Sequence, residues 1–97
     1  MNNQLKDKLQ NYFAGQPVKK AWVFGSSSRG EEKEDSDIDI MVVLDETQTV
    51  GLKFFAMLFD LKELLGREVD LVTEDSLLPF ARESANKDKI LVYERAA

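Results

Sequence analysis

The chain has 97 residues, no cysteine, no histidine and a formal net charge of -5. A thiolate nucleophile, a thiolate zinc site, a disulfide framework and imidazole catalysis are therefore all excluded, and any chemistry falls to carboxylates, hydroxyls, Lys, Arg and Tyr. The length and a hydrophobic content of 43% fit one globular domain over 1–97, and the apolar runs AWVF and FFAMLF are too short to span a bilayer or act as a signal peptide, so a cytoplasmic location is expected.

The first element in chain order is an amphipathic helix. Leu5, Leu9, Tyr12 and Phe13 recur at helical spacing until Gly15 and Pro17 break the pattern. Val18 to Phe24 contains the run AWVF and reads as a buried strand ending at Gly25, and the turn that follows opens a short helix. Ile38 to Leu44 is the clearest strand, with Ile38, Ile40, Val42 and Leu44 on one face and Asp37, Asp39, Met41 and Val43 on the other. Phe54, Met57, Leu58, Leu61, Leu64 and Leu65 mark one side of a long helix that stops at Gly66. Glu68 to Val72 returns as a strand, Thr73 to Ser76 supplies cap chemistry for a helix near Leu77, and Ile90 to Tyr93 is a last short strand. This alternation predicts an α+β, two-layer fold: a mixed β-sheet of about four strands with helices packed on it.

The charge is concentrated in one place. Residues 31–39, EEKEDSDID, hold six acids and one lysine, and the acids and bases of the other 88 residues balance. No basic stripe is present to neutralise a phosphate backbone, which argues against direct nucleic-acid binding. Glu31, Glu32, Glu34 and Asp35 alternate with no apolar partner and read as a solvated spacer.

On either side of that spacer lie the residues that carry chemistry. Gly25 and Ser26, at the end of a strand, can present backbone N–H groups and a hydroxyl to an anion. The interval from Gly25 to Gly30 imitates a P-loop, but Glu31 and Glu32 stand where that motif needs Lys and Ser or Thr, so the P-loop reading fails. Asp37 and Asp39, two apart on a strand, project from one face and repel one another unless a divalent cation lies between them or solvent screens them. Asp70 interrupts the apolar run Val69 to Val72 where a buried side chain is expected, so it needs a cation or a partner such as Arg67.

The ordered set Gly25-Ser26, Arg29-Gly30, Ser36-Asp37-x-Asp39 and then Asp70 resembles the nucleotidyltransferases of the DNA polymerase beta superfamily. It is most similar to their minimal members, which are found as antitoxins of HEPN-domain toxins. The resemblance runs from Ala21 to Tyr93, with Ser28 where many minimal members have alanine. It implies a polymerase-beta-type fold, in which Gly25, Ser26, Arg29 and Ser36 bind the nucleotide and Asp37, Asp39 and Asp70 are catalytic and hold two Mg²⁺ ions. By the same resemblance, the reaction is Mg²⁺-dependent transfer of AMP from ATP or another NTP to a tyrosine hydroxyl of a HEPN-type toxin. A non-catalytic antitoxin that neutralises its partner by masking it is the alternative. In that alternative the exposed face of the 50–65 helix and the first helix are candidate docking surfaces for the masked partner, and the protein is a candidate homo- or hetero-oligomer.

Overall fold

The computed structural model describes residues 3–25, 37–76 and 87–96. The elements are α1 (Asn3–Phe13), β1 (Val18–Phe24), β2 (Ile38–Leu44), α2 (Lys53–Leu65), β3 (Val69–Thr73) and β4 (Ile90–Glu94), with one 3₁₀ turn at Glu74–Ser76. The strands form a mixed sheet in the order β3-β2-β1-β4. β1 runs antiparallel to both β2 and β4, whereas β2 and β3 are parallel and joined through α2. The helices expected after Gly25 and near Leu77 fall outside the described residues.

Alternation along the strands decides which face carries the helices. Ala21 and Val23 of β1, Ile38, Ile40 and Val42 of β2, and Val69 and Leu71 of β3 all turn to one side and are buried. Leu9 and Phe13 of α1 and Met57 and Leu61 of α2 close over them in a single cluster. The two helices are also tied to each other, because the Tyr12 hydroxyl donates to Asp60 Oδ2 at 2.8 Å. Partial burial, followed by this contact with a carboxylate, holds the Tyr12 phenol well above its ordinary pKa.

α2 stops where the sequence says it should. Gly66 adopts φ 64° and its N–H caps Lys62 O at 2.8 Å, a left-handed C-cap that glycine accommodates without strain. Lys62 Nζ then reaches Glu68 Oε2 at 3.0 Å, and Glu68 O accepts from Ile38 N–H at 3.0 Å, so the chain re-enters the sheet in register with β2. Leu64, expected among the apolar residues facing the sheet, is instead exposed.

The other ends of the strands are fastened by an ion pair between a buried carboxylate and a half-buried arginine. Asp45 is 5% exposed and its carboxylate accepts from Thr47 N–H at 3.0 Å, Thr47 Oγ1 at 2.6 Å, Gln48 Nε2 at 2.9 Å and Arg95 Nη1. Arg95 Nη2 also donates to Gln16 O at 3.2 Å, its backbone N–H to Lys19 O at 2.8 Å, and Asp45 N–H to Pro17 O at 2.9 Å. One knot thus joins the start of β1, the end of β2 and the end of β4.

Candidate active site

The face of the sheet away from α1 and α2 carries the acidic residues. In the antiparallel ladder Asp39 stands opposite Phe24, and in the parallel ladder it stands beside Asp70. The three form one row across β1, β2 and β3, so their side chains share that face. Asp37, two residues earlier, lies on the same side at the edge of the sheet.

Burial grades the three carboxylates. Asp37 is exposed, Asp39 half-buried and Asp70 exposed. The exposure of Asp70 corrects the expectation that it occupies a buried position. Val69 and Leu71 point into the core, and the residue between them must point out of it, so strand alternation and not a buried partner explains the interruption of the apolar run. Its placement beside Asp39 is unaffected.

The row is electrostatically loaded. Asp39 has its pKa raised, first by burial, then by the negative charge of Asp70, then by that of Asp37. Gly25 closes the site from the strand next door. Its φ is +72°, and a Cβ built on it would lie 2.5 Å from Asp39 Oδ2, so glycine is required both by the backbone conformation and by the carboxylate resting against it. The end of β1 and the start of β2 are therefore in direct contact at the two positions that the sequence singled out.

The donor set consists of oxygens alone, which suits a hard cation better than zinc or copper. Among the described residues no three acidic side chains close into a complete ion cage. Mg²⁺ is ordinarily held by one or two carboxylates together with substrate phosphates and water, and the row of Asp37, Asp39 and Asp70 fits that mode of binding. Ser26, Arg29 and Ser36 lie outside the described residues.

Sequence reasoning missed two further features. On the same sheet face, Lys89 Nζ sits 4.8 Å from the centre of the Trp22 ring, a cation–π contact that keeps a positive charge on the site side of β1. No local pattern around Lys89 signals this, because the contact depends on the β1–β4 pairing. The other is the Asp45–Arg95 knot, which no local pattern signals. Its partners are 50 residues apart in sequence.

Comparison with known proteins follows the same geometry. A family profile described as nucleotidyltransferase domain matches residues 3–92. Protein adenylyltransferase MntA of Thermococcus cleftensis is 50% identical over 72 residues, covering 74% of this chain and 69% of the relative. A Methanocaldococcus jannaschii protein, provisionally named a protein adenylyltransferase, is 39% identical over 89 residues, covering 92% and 89%. Among solved structures, a minimal nucleotidyltransferase superposes with TM-score 0.73 at 35% identity, covering 91% of this chain and 88% of the other. A complex of tri-AMPylated Shewanella oneidensis HEPN toxin with MNT antitoxin shares the fold, with TM-score 0.69 at 19% identity over 98% of this chain and 74% of that one.

Proposed function

Since the chain belongs to the nucleotidyltransferase domain family and is an enzyme of that class, we propose that it transfers AMP from ATP to a tyrosine hydroxyl of a HEPN-type toxin, and that this modification neutralises the toxin. The observation that carries this reading is the row in which Asp39 stands beside Asp70 with Gly25 against its carboxylate. The names of the relatives supply the acceptor class, since one is a protein adenylyltransferase and one structural neighbour contains an AMPylated HEPN toxin.

In this mechanism Asp37 and Asp39 would hold Mg²⁺, with Asp70 completing the set. When bound, two such ions would supply charge stabilisation at the attacking and leaving oxygens. The chain's own residues do the rest. Gly25 and Ser26, with Arg29 and Ser36, bind the nucleotide and its phosphates, the glycine because nothing bulkier fits against Asp39. Asp70, exposed at the open end of the row, orients the tyrosine hydroxyl and takes its proton as the tyrosine oxygen bonds to the α-phosphorus. The bond from that phosphorus to the bridging oxygen breaks, and pyrophosphate leaves.

The test is a transfer assay with α-labelled ATP, Mg²⁺ and the HEPN-type toxin. Label is expected on a toxin tyrosine by mass spectrometry, with Asp39→Asn and Asp70→Asn each reducing transfer by about 100-fold or more. If Asp37→Asn/Asp39→Asn protects cells as well as the unaltered chain does, neutralisation is by masking and the enzymatic account of it is wrong.

A further inference from the structure

The acidic row continues past the three strands that carry it. β1 and β4 are antiparallel, with Val23 opposite Ile90. One step further along both, Phe24 and Lys89 come level, and residues directly opposite one another point to the same side. The 4.8 Å contact of Lys89 Nζ with the Trp22 ring puts its side chain on that side, because Trp22 and Phe24 share the face of Asp39. The line across the sheet therefore runs Asp70, Asp39, Phe24, Lys89, with acid at one end and a cation at the other.

The charge of this lysine is held in reserve. Lys20, also on the site face but towards the other end of β1, is committed to Glu94 at 3.2 Å. Lys89 forms no ion pair among the described residues. Its Nζ leans back from the level of Phe24 over Trp22, a ring only 8% exposed. An ammonium resting on a ring gives up little when it swings onto an anion. Neighbouring strands lie about 4.8 Å apart, so the Lys89 backbone stands roughly 10 Å from that of Asp39, and a lysine side chain spans about 6 Å. A phosphate beside Gly25 falls within that span.

The order of the row suits an in-line displacement. Given the AMP transfer proposed above, on which this inference rests, the attacking hydroxyl enters at the Asp70 end, and the leaving group departs from the opposite side of the α-phosphorus. That opposite side is the one of Phe24, Gly25 and Lys89. As the bond from the α-phosphorus to the bridging oxygen breaks, its electron pair goes to that oxygen. Negative charge then grows on the pyrophosphate, which the carboxylates of the row repel. We propose that Lys89 is a catalytic residue of this site, which swings from Trp22 onto the β- and γ-phosphates of the nucleotide and holds the pyrophosphate as it departs.

Calorimetry with Mg²⁺ and a non-hydrolysable ATP analogue tests this without any acceptor protein. Lys89→Met keeps a flexible side chain over the ring and removes the charge. Its Kd for the analogue is expected to rise by about tenfold or more, while the far-UV spectrum and Tm stay those of the folded chain and Lys89→Arg recovers most of the affinity. Affinity for AMP, which has no β- or γ-phosphate, should be the same with and without the lysine. Trp22 is the chain's single tryptophan, so its emission should change as the analogue saturates the unaltered chain and stay constant in Lys89→Met. An equal loss of affinity for AMP and for the analogue overturns the proposal, because Lys89 then only shapes the sheet face. Analogue binding by Lys89→Met as tight as that of the unaltered chain also overturns it, and leaves the nucleotide site standing if Asp39→Asn still weakens Mg²⁺-dependent binding. An unaltered chain that binds no analogue refutes both the nucleotide site and the role of Lys89.

Discussion

Gly25 and Asp39 occupy neighbouring strands so closely that a methyl group on Gly25 would stand 2.5 Å from Asp39 Oδ2. Gly25→Ala therefore meets two penalties at once. The left-handed backbone at φ +72° costs about 1–2 kcal/mol for a residue with a Cβ, and the carboxylate has to move. The expected outcome is a modest fall in stability in urea denaturation with a far larger fall in AMP transfer. Transfer that declines only in step with the folded fraction would show that the position of Asp39 does not depend on Gly25.

The same carboxylate opposes the stability of the metal-free fold. Because burial and the charges of Asp70 and Asp37 raise the Asp39 pKa, the folded state holds its proton more tightly than the unfolded chain does. Stability relative to the protonated form is lost as pH rises from the ordinary carboxylate range through the raised value. Asp39→Asn should thus stabilise the apo protein at neutral pH, by less than about 1 kcal/mol for a group this exposed, and remove that segment of the pH profile. The measurement is Tm against pH in chelator and in Mg²⁺. Mg²⁺ should raise the Tm of the unaltered chain and not that of Asp39→Asn.

The legibility of these features in the sequence follows from the range of the interactions that create them. β1 and β2 are readable to the residue because apolar alternation and the bounding Gly25 and Asp45 are local. α2 is readable because Met57 and Leu61 recur at helical spacing and Gly66 ends it. Asp37 and Asp39 stand out for the same reason. The exposure of Asp70 was misjudged because an aspartate among valines and leucines looks buried in a one-dimensional pattern, and only the side of the sheet that carries the helices decides its direction. Arg95 and Lys89 gave no signal, since each acquires its meaning from a strand pairing made across more than half the chain.

The Asp45–Arg95 knot predicts sensitivity to acid. Hydrogen bonds from Thr47, Arg95 and Gln48 hold the Asp45 carboxyl well below the usual carboxylate range. A group with a depressed folded pKa contributes stability that is present above its unfolded pKa and lost as pH falls below about 4 toward the folded value. Asp45→Ala should lower Tm at neutral pH and flatten the acid limb of the unfolding curve. Arg95→Ala should shift that limb to higher pH, because the carboxylate loses its charged donor and keeps Thr47 and Gln48. Equal acid midpoints for Arg95→Ala and the unaltered chain would show that the pair contributes nothing to stability in this range.

Two residues on α2, two positions apart, contribute very differently to stability. Leu61 is fully buried beneath the sheet residues, and Leu61→Ala leaves a cavity there that is expected to cost about 2–5 kcal/mol, a large share of the stability of a domain this size. Phe59 is 65% exposed on the opposite side and Phe59→Ala removes no core contact, so in dilute protein its urea midpoint should stay within about 0.5 kcal/mol of the unaltered chain. A urea midpoint for Leu61→Ala as high as that for Phe59→Ala would show that the core repacks around the missing side chain.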